Sequence, residues 1–238
     1  MGFLTIQQRD VTVGSRRATF GHFQRIYMHI QQVKLSKMAT FCYLVSDDAT
    51  RTCALIDPAC DTNQLLETAS GQGLQITHVI NTHNHSDHTA GNAAVVAATG
   101  AKIYIHHRDA AALGKLFNRG FSRLMGGKGS PLPDVLLEDE DTIKIGAVTL
   151  TVIHTPGHTP GGICLQAGNH LFTGDTLFVG SAGRTDLPGG NRRQLETSIA
   201  TRICSLPGET IIWPGHDYGS RPSSTVAREK RSNPFMQC

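Results

Sequence analysis

The chain has 238 residues, 39% hydrophobic and 17% charged, with a formal net charge of +3. That length accommodates one large domain or two small ones with a substantial apolar core, and the composition lies far from that of disordered or fibrous chains. The basic residues are scattered, with only Arg228, Lys230 and Arg231 locally clustered, which argues against a nucleic-acid-binding face, and no apolar segment approaches the roughly 20 residues that span a bilayer.

Residues up to about Gly21 form a polar leader. Thr40 to Val45 and Thr52 to Ile56 flank the turn residues Ser46-Asp47-Asp48, a pattern that predicts a β-hairpin. Asp61 opens a helical pattern through Leu65 and Leu66 that closes near Gly71, and Ile76 to Ile80 reads as a buried strand running into Asn81-Thr82-His83. Good helix formers from Thr89 to Thr99 end at Gly100, followed by a strand at Ala101 to Ile105 and a helix at Asp109 to Leu116. Gly120 to Pro133, rich in Gly and Pro, reads as a loop. Glu138, Asp139, Glu140 and Asp141 read as a solvated turn before strands at Thr142 to Ile145, Val148 to Ile153, Ile163 to Leu165 and His170 to Phe172. A helix from Arg192 to Ile203, a strand at Thr210 to Trp213 and a helix near Thr225 to Arg231 complete the reading.

Strands followed by helices thus occur twice, which predicts two packed sheets with helices on their outer faces. No linker divides the chain, so 1–238 reads as a single domain with 1–21 as a leader of undefined order. Cys42, Cys53, Cys60, Cys164, Cys204 and Cys238 include no C-x-x-C pair. They read as buried thiols, with Cys238 an exposed tail residue, and point to the reducing cytoplasm.

Three of the twelve histidines fall within six residues, His83-Asn84-His85-Ser86-Asp87-His88, at the end of a predicted strand. Imidazole nitrogens suit a borderline-soft divalent metal, and Asp87 adds an anionic oxygen. Four such side chains exceed what one tetrahedral ion collects from a turn, so they are expected to divide between two ions. His154-Thr155-Pro156-Gly157-His158-Thr159-Pro160-Gly161-Gly162 is a rigid loop in which either histidine is a candidate ligand. Phe172-Thr173-Gly174-Asp175 and Trp213-Pro214-Gly215-His216-Asp217-Tyr218 are further strand ends, weak singly but strong together.

In this order the motifs H-x-H-x-D-H at His83 to His88, T-P-G-H-T-P-G at Thr155 to Gly161, T-G-D at Thr173 to Asp175 and P-G-H-D-Y at Pro214 to Tyr218 resemble the metallo-β-lactamase superfamily, from about Thr40 to the C-terminus. The resemblance implies an α+β fold, an αββα sandwich of two mixed β-sheets packed face to face with helices on the outer faces. It implies one divalent ion held by His83, His85 and His158, a second by Asp87, His88 and His216, and Asp175 bridging both. Zinc is the first expectation and iron the alternative. His154 drops out, since the family's ligand is the histidine after Pro-Gly.

The chain looks closest to the branch containing glyoxalase II thioesterases and persulfide dioxygenases. Gly183-Arg184-Thr185-Asp186, His216-Asp217-Tyr218, Ser224-Thr225-Val226 and Asn233-Pro234 resemble the dioxygenases and short glyoxalase II-like proteins, whereas Gly180-Ser181-Ala182-Gly183 and Leu187-Pro188-Gly189-Gly190 look more like the hydrolases. Ala182 and Leu187-Pro188 stand where the dioxygenases usually have Cys and Phe-Gln, and the C-terminal helical region of longer glyoxalase II enzymes is absent, which loosens the link to glutathione. The expectation is a metallohydrolase of a thioester such as an S-acylglutathione, in which Asp87 also assists proton movement, Arg184 binds a substrate carboxylate or pairs with Asp186, Tyr218 donates to substrate, and Asp57 orients a metal-binding histidine from behind. The alternative is a persulfide dioxygenase with one iron(II) on His83, His158 and Asp175. The expected partner is a small thioester or glutathione-derived molecule, with neither nucleic acid nor membrane, and a homodimer is left open.

Overall fold

Apolar residues alternate along the strands and sort the interior into three layers. In the computed structural model, which describes residues 9–16, 25–35, 37–124 and 126–238, Phe41–Asp47 (β3) is buried along its whole length. Phe41, Tyr43 and Val45 join one core while Cys42 and Leu44 join another, because successive side chains leave opposite faces of a strand. Both faces of β3 are therefore covered. Thr52–Ile56 (β4) follows as the expected antiparallel hairpin partner, pairing Tyr43 with Ile56 and Val45 with Ala54.

The first sheet continues through Gln75–Ile80 (β5), Lys102–His106 (β6) and Val135–Leu137 (β7), each parallel to its neighbour. On its other side lie Arg25–Lys34 (β2) and Arg9–Arg16 (β1), antiparallel. The second sheet runs in the order Ser224–Thr225 (β15), Ile211–Pro214 (β14), His170–Gly174 (β11), Ile163–Ala167 (β10), Val148–His154 (β9), Thr142–Ile145 (β8), with β11 and β14 parallel and the other pairs antiparallel, while Leu177–Phe178 (β12) and Ser181–Ala182 (β13) pair only with each other. Between the two sheets pack Ile30, Tyr43, Ile56, Val152, Leu165, Phe172 and Trp213.

Helices cover both outer faces. Thr62–Gly71 (α1), Ser86–Thr89 (α2), Asn92–Thr99 (α3), His107–Leu113 (α4) and Leu116–Leu124 (α5) belong to the first half of the chain, where Leu65, Val95 and Leu113 close over Leu44, Leu55 and Ile103. Arg192–Ser198 (α6) and Val226–Ser232 (α7) cover the second sheet, burying Leu195 and Val226 against Leu171 and Ile212. The expected sandwich of two mixed sheets with outer helices is the observed architecture. No helix among the described residues is long and apolar enough to cross a membrane.

Several expectations need correction. The polar leader contains β1, while residues 1–8 and 17–21 of it lie outside the described residues. The helix expected over Thr89 to Thr99 breaks at Ala90-Gly91: Gly91 donates its N–H to Pro58 O at 3.0 Å, and a Cβ there would stand 2.6 Å from the Pro58 and Ala59 carbonyl oxygens. The helix expected over Asp109 to Leu116 begins earlier and ends at Leu113. The loop expected over Gly120 to Pro133 is helical as far as Leu124, because α5 is held through Asn118, whose side chain donates to Ala112 O at 2.8 Å and Asn84 O at 3.1 Å. The helix over Arg192 to Ile203 widens into a π-helical turn at Ile199–Ile203. Cys204 and Cys238 are not thiols but a disulfide, with Cα atoms 6.3 Å apart, because the tail after α7 folds back and buries Met236 in the core beside Cys204. Cys42, Cys53, Cys60 and Cys164 are buried thiols as expected.

Candidate metal centre

Five strands finish at one edge of the sandwich, and the residues just beyond them form the site. Beyond β4 comes Asp57, beyond β5 the segment His83 to His88, beyond β9 the loop with His158, beyond β11 Asp175, and beyond β14 His216. The parallel pairing of β11 with β14 puts Asp175 and His216 side by side. β3 enters there as well, with Phe41 N–H donating to Gly215 O at 2.8 Å and the Tyr43 hydroxyl donating across the core to Pro214 O.

All seven predicted ligands converge. His83, His85 and His158 present nitrogens within 4.8 Å of one another, and so do the donor atoms of Asp87, His88 and His216. Asp175 lies between the groups: Oδ2 is 3.4 Å from both His158 Nε2 and His216 Nε2, and Oδ1 is 3.3 Å from His88 Nε2. His85 Nδ1 faces His158 Nε2 at 2.9 Å, and His88 Nε2 faces His216 Nε2 at 3.1 Å. His154 is elsewhere, stacked on His106 with ring centroids 4.1 Å apart.

The far nitrogens of these rings are tethered. His88 Nδ1 meets Asp57 Oδ2 at 2.9 Å, His158 Nδ1 meets Arg184 O at 2.7 Å, and His216 Nδ1 meets Met38 O at 2.9 Å. Each tether favours a proton on Nδ1 and a lone pair on Nε2, aimed into the cluster. Asp57 also accepts Thr82 N–H at 2.8 Å and the Thr82 hydroxyl at 2.6 Å.

The electrostatics are those of a cation site. Burial and the neighbouring His88 hold His83 well below the usual histidine range, and burial with His158 holds His85 at about 4, so both stay neutral at pH 7. For Asp175, burial favours protonation, but His216 and His88 outweigh it and keep the carboxyl well below its usual range. Burial likewise opposes charge on His216, yet Asp175 and Asp87 raise it to about 9. His83 Nε2 and Asp175 Oδ1 are buried without a hydrogen-bond partner, although buried polar atoms are normally satisfied. A Cβ on Gly215 would run into Asp175 Oδ1, and one on Gly183 into the Asp175 carbonyl, so the cradle exists only because those positions are glycine. His83 and His85 neutral at pH 7, two carboxylates that draw positive charge onto His88 and His216, orphaned inward atoms and space fit divalent metal ions, which would take the place of those protons.

None of the sequence motifs pointed to Asp109. Fully buried, it accepts Asn84 N–H at 3.0 Å and the Thr159 hydroxyl at 2.8 Å on Oδ2, and Gly161 N–H at 2.7 Å on Oδ1. One carboxylate thus binds the His83-to-His88 loop to the His158 loop across 25 and 50 residues of sequence. Only the fold brings these segments together, and Gly161 leaves no room for a Cβ beside Asp109.

The two expected substrate contacts line a cavity of about 490 Å³ that opens on His85, Asp87, His158, Asp175 and His216. Arg184 spends its guanidinium on Asp186, through Nε at 2.7 Å and Nη2 at 2.6 Å, an exposed pair that holds the Asp186 carboxyl at about 2. Tyr218 stacks on His216, centroids 4.5 Å apart and planes 5° apart, with Phe178 edge-on to both.

Comparison with known proteins agrees with this geometry. The family model for the metallo-beta-lactamase superfamily matches residues 36–216, and the chain belongs to that superfamily. It is 40% identical over 194 residues to a hydroxyacylglutathione hydrolase of a Polaromonas species, covering 79% of this chain and 66% of that one. It is 34% identical over 204 residues to the mitochondrial persulfide dioxygenase of Homo sapiens, covering 83% and 71% respectively. The crystal structure of TTHA1623 in a di-iron-bound form superposes with a TM-score of 0.74 at 34% identity, covering 86% of this chain and 98% of that one. Relatives of this chain thus include both hydrolases and dioxygenases.

Proposed function

We propose that this superfamily member is a metal-dependent hydrolase of a thioester such as an S-acylglutathione. The observation that carries the reading is the pair of three-residue clusters sharing Asp175, which together orient more ligands than one ion requires. His83, His85 and His158 would hold one ion and Asp87, His88 and His216 the other. When bound, two zinc-class ions lower the pKa of a water towards 7 and polarise a carbonyl oxygen.

The chain's own groups do the rest. Asp57, Arg184 O and Met38 O each hold the Nδ1 side of one imidazole, so that Nε2 is the nitrogen that faces the cleft and is free to bind a metal once it gives up its proton. Asp87, whose Oδ2 lies 3.4 Å from His216 Nε2 and which lines the cavity, takes up the proton released as water adds to the carbonyl. The C–S bond then breaks, the departing thiolate takes the proton held by Asp87 to leave as a thiol, and the carboxylic acid formed loses its own proton to solvent. Phe178 and Tyr218 wall one side of the cleft and hold His216 in place. Dialysis of the zinc-loaded protein against a strong chelator should abolish thioester turnover, and zinc should restore it. Undiminished turnover with no bound metal would sink the reading.

A second reading, persulfide dioxygenation on one iron(II) held by His83, His158 and Asp175, draws support from the 34% identity to the human dioxygenase. Failure of iron-loaded protein to consume oxygen with glutathione persulfide would rule it out.

A further inference from the structure

We infer that the cleft selects its thioester through the acyl half, and that this half is an apolar chain; the inference rests on the hydrolase reading. Among the described residues six large hydrophobic side chains stand exposed, and Met38, Phe121 and Tyr218, at 50%, 39% and 54% exposure, all line the one cavity beside the metal cluster. Phe178, Ala182 and Leu187 complete its apolar wall. Apolar surface gathered around a concave site marks a place where an apolar ligand leaves water.

The collar is held rigid from behind. Asn118 ties α5 to the ligand loop through Asn84 O, and Phe121 is three residues further on, on the same helical face. Tyr218 is fixed by its stack on His216, and Met38 belongs to the backbone that accepts His216 Nδ1–H. Charge points the same way. A glutathione moiety carries two carboxylates and one ammonium, yet among the described lining residues the one guanidinium or ammonium group, that of Arg184, is already bidentate on Asp186. The apolar wall offers burial, while recognition of the thiol half by charge finds no unpaired cation among the described lining residues.

The test uses the zinc-loaded full chain and straight-chain acyl thioesters of two to eight carbons, made with glutathione and with uncharged 2-mercaptoethanol. The expected result is a rise in kcat/KM of about fourfold per methylene, the value for burial of one CH2 group, and less than a threefold difference between the two thiols at equal chain length. Phe121→Ala should flatten the chain-length dependence and Phe121→Leu largely restore it, while Leu136→Ala, exposed outside the cavity, should leave it unchanged. A flat response, or glutathione thioesters faster by tenfold at every length, overturns the inference. Calorimetric binding of the matching straight-chain carboxylates separates the two readings. Dissociation constants that fall about fourfold per methylene without any thioester turnover would keep the collar and overturn the hydrolase; constants independent of chain length would overturn the collar whatever the turnover.

Discussion

Asp109 accepts the Thr159 hydroxyl at 2.8 Å on the same oxygen that accepts Asn84 N–H, so one buried carboxylate joins the two loops that carry His83, His85 and His158. Groups behind metal ligands typically contribute 10- to 100-fold in metal affinity. Asp109→Asn should weaken zinc binding at the His83, His85, His158 group by about that factor, whereas Asp57→Asn should act on the group containing His88. Competition with a chromophoric chelator, resolving two binding steps, checks both, and unchanged affinity in both variants would contradict the assignment.

Gly215 makes a different kind of test, because a methyl group there enters the cradle itself, against Asp175 Oδ1 and 3.0 Å from Gly174 O. Gly215→Ala should lower metal affinity by more than tenfold while far-ultraviolet circular dichroism stays that of the folded chain. Full metal content in the variant would show that the space between Asp175 and His216 is not where the ions sit.

Much of this site was legible in the sequence, for a physical reason. Histidine is a costly residue to crowd together, so His83, His85 and His88 within one turn announce a ligand before any fold is known. Asp175 and His216 were readable only as parts of a set, since a lone acid or histidine after a strand is commonplace. The recurrence of strands followed by helices in the two halves of the chain foretold two stacked sheets. What stayed hidden depends on tertiary contacts. Asp109 looked like an ordinary first-turn helix residue, α5 was masked by Gly120 and the Gly-Pro stretch after it, and Arg184 gave no hint of whether it would face substrate or Asp186. The Cys204 disulfide was hidden because its partner, Cys238, lies 34 residues away on the tail.

The hairpin at Asp47 supplies a pH test remote from the metal. Its buried carboxyl accepts Ala147 N–H at 3.1 Å and the Thr50 hydroxyl at 2.8 Å, joining β3 to the β8–β9 turn of the second sheet. Burial alone would raise its pKa, but those donors outweigh it and lower the value below 3.8. A depressed carboxyl stabilises the fold fully above its unfolded pKa and loses that contribution as pH falls through the folded value. Asp47→Asn should therefore cost about 1–2 kcal/mol at pH 7, and the gap in urea midpoint between variant and parent should close below pH 3.8. A gap independent of pH would contradict this.

The Cys204–Cys238 link closes a segment of 34 residues and ties the tail under α6 and α7. Loop-closure entropy for a loop of that length is on the order of 3–4 kcal/mol. Cys238→Ser should lower the denaturation midpoint accordingly and leave zinc stoichiometry untouched, since neither cysteine approaches the cluster. Denaturant titration with and without reductant measures it; a parent protein indifferent to reductant would show that the link contributes nothing.

On the proposed reading, two ions bound by two residue groups sharing Asp175 serve hydrolysis. Protein purified without added metal should be analysed for zinc and iron, and the same sample assayed for thioester hydrolysis and for persulfide-dependent oxygen uptake. Two zinc-class ions per chain and hydrolysis without oxygen uptake are the expected result. One iron per chain with oxygen uptake and no hydrolysis would contradict it.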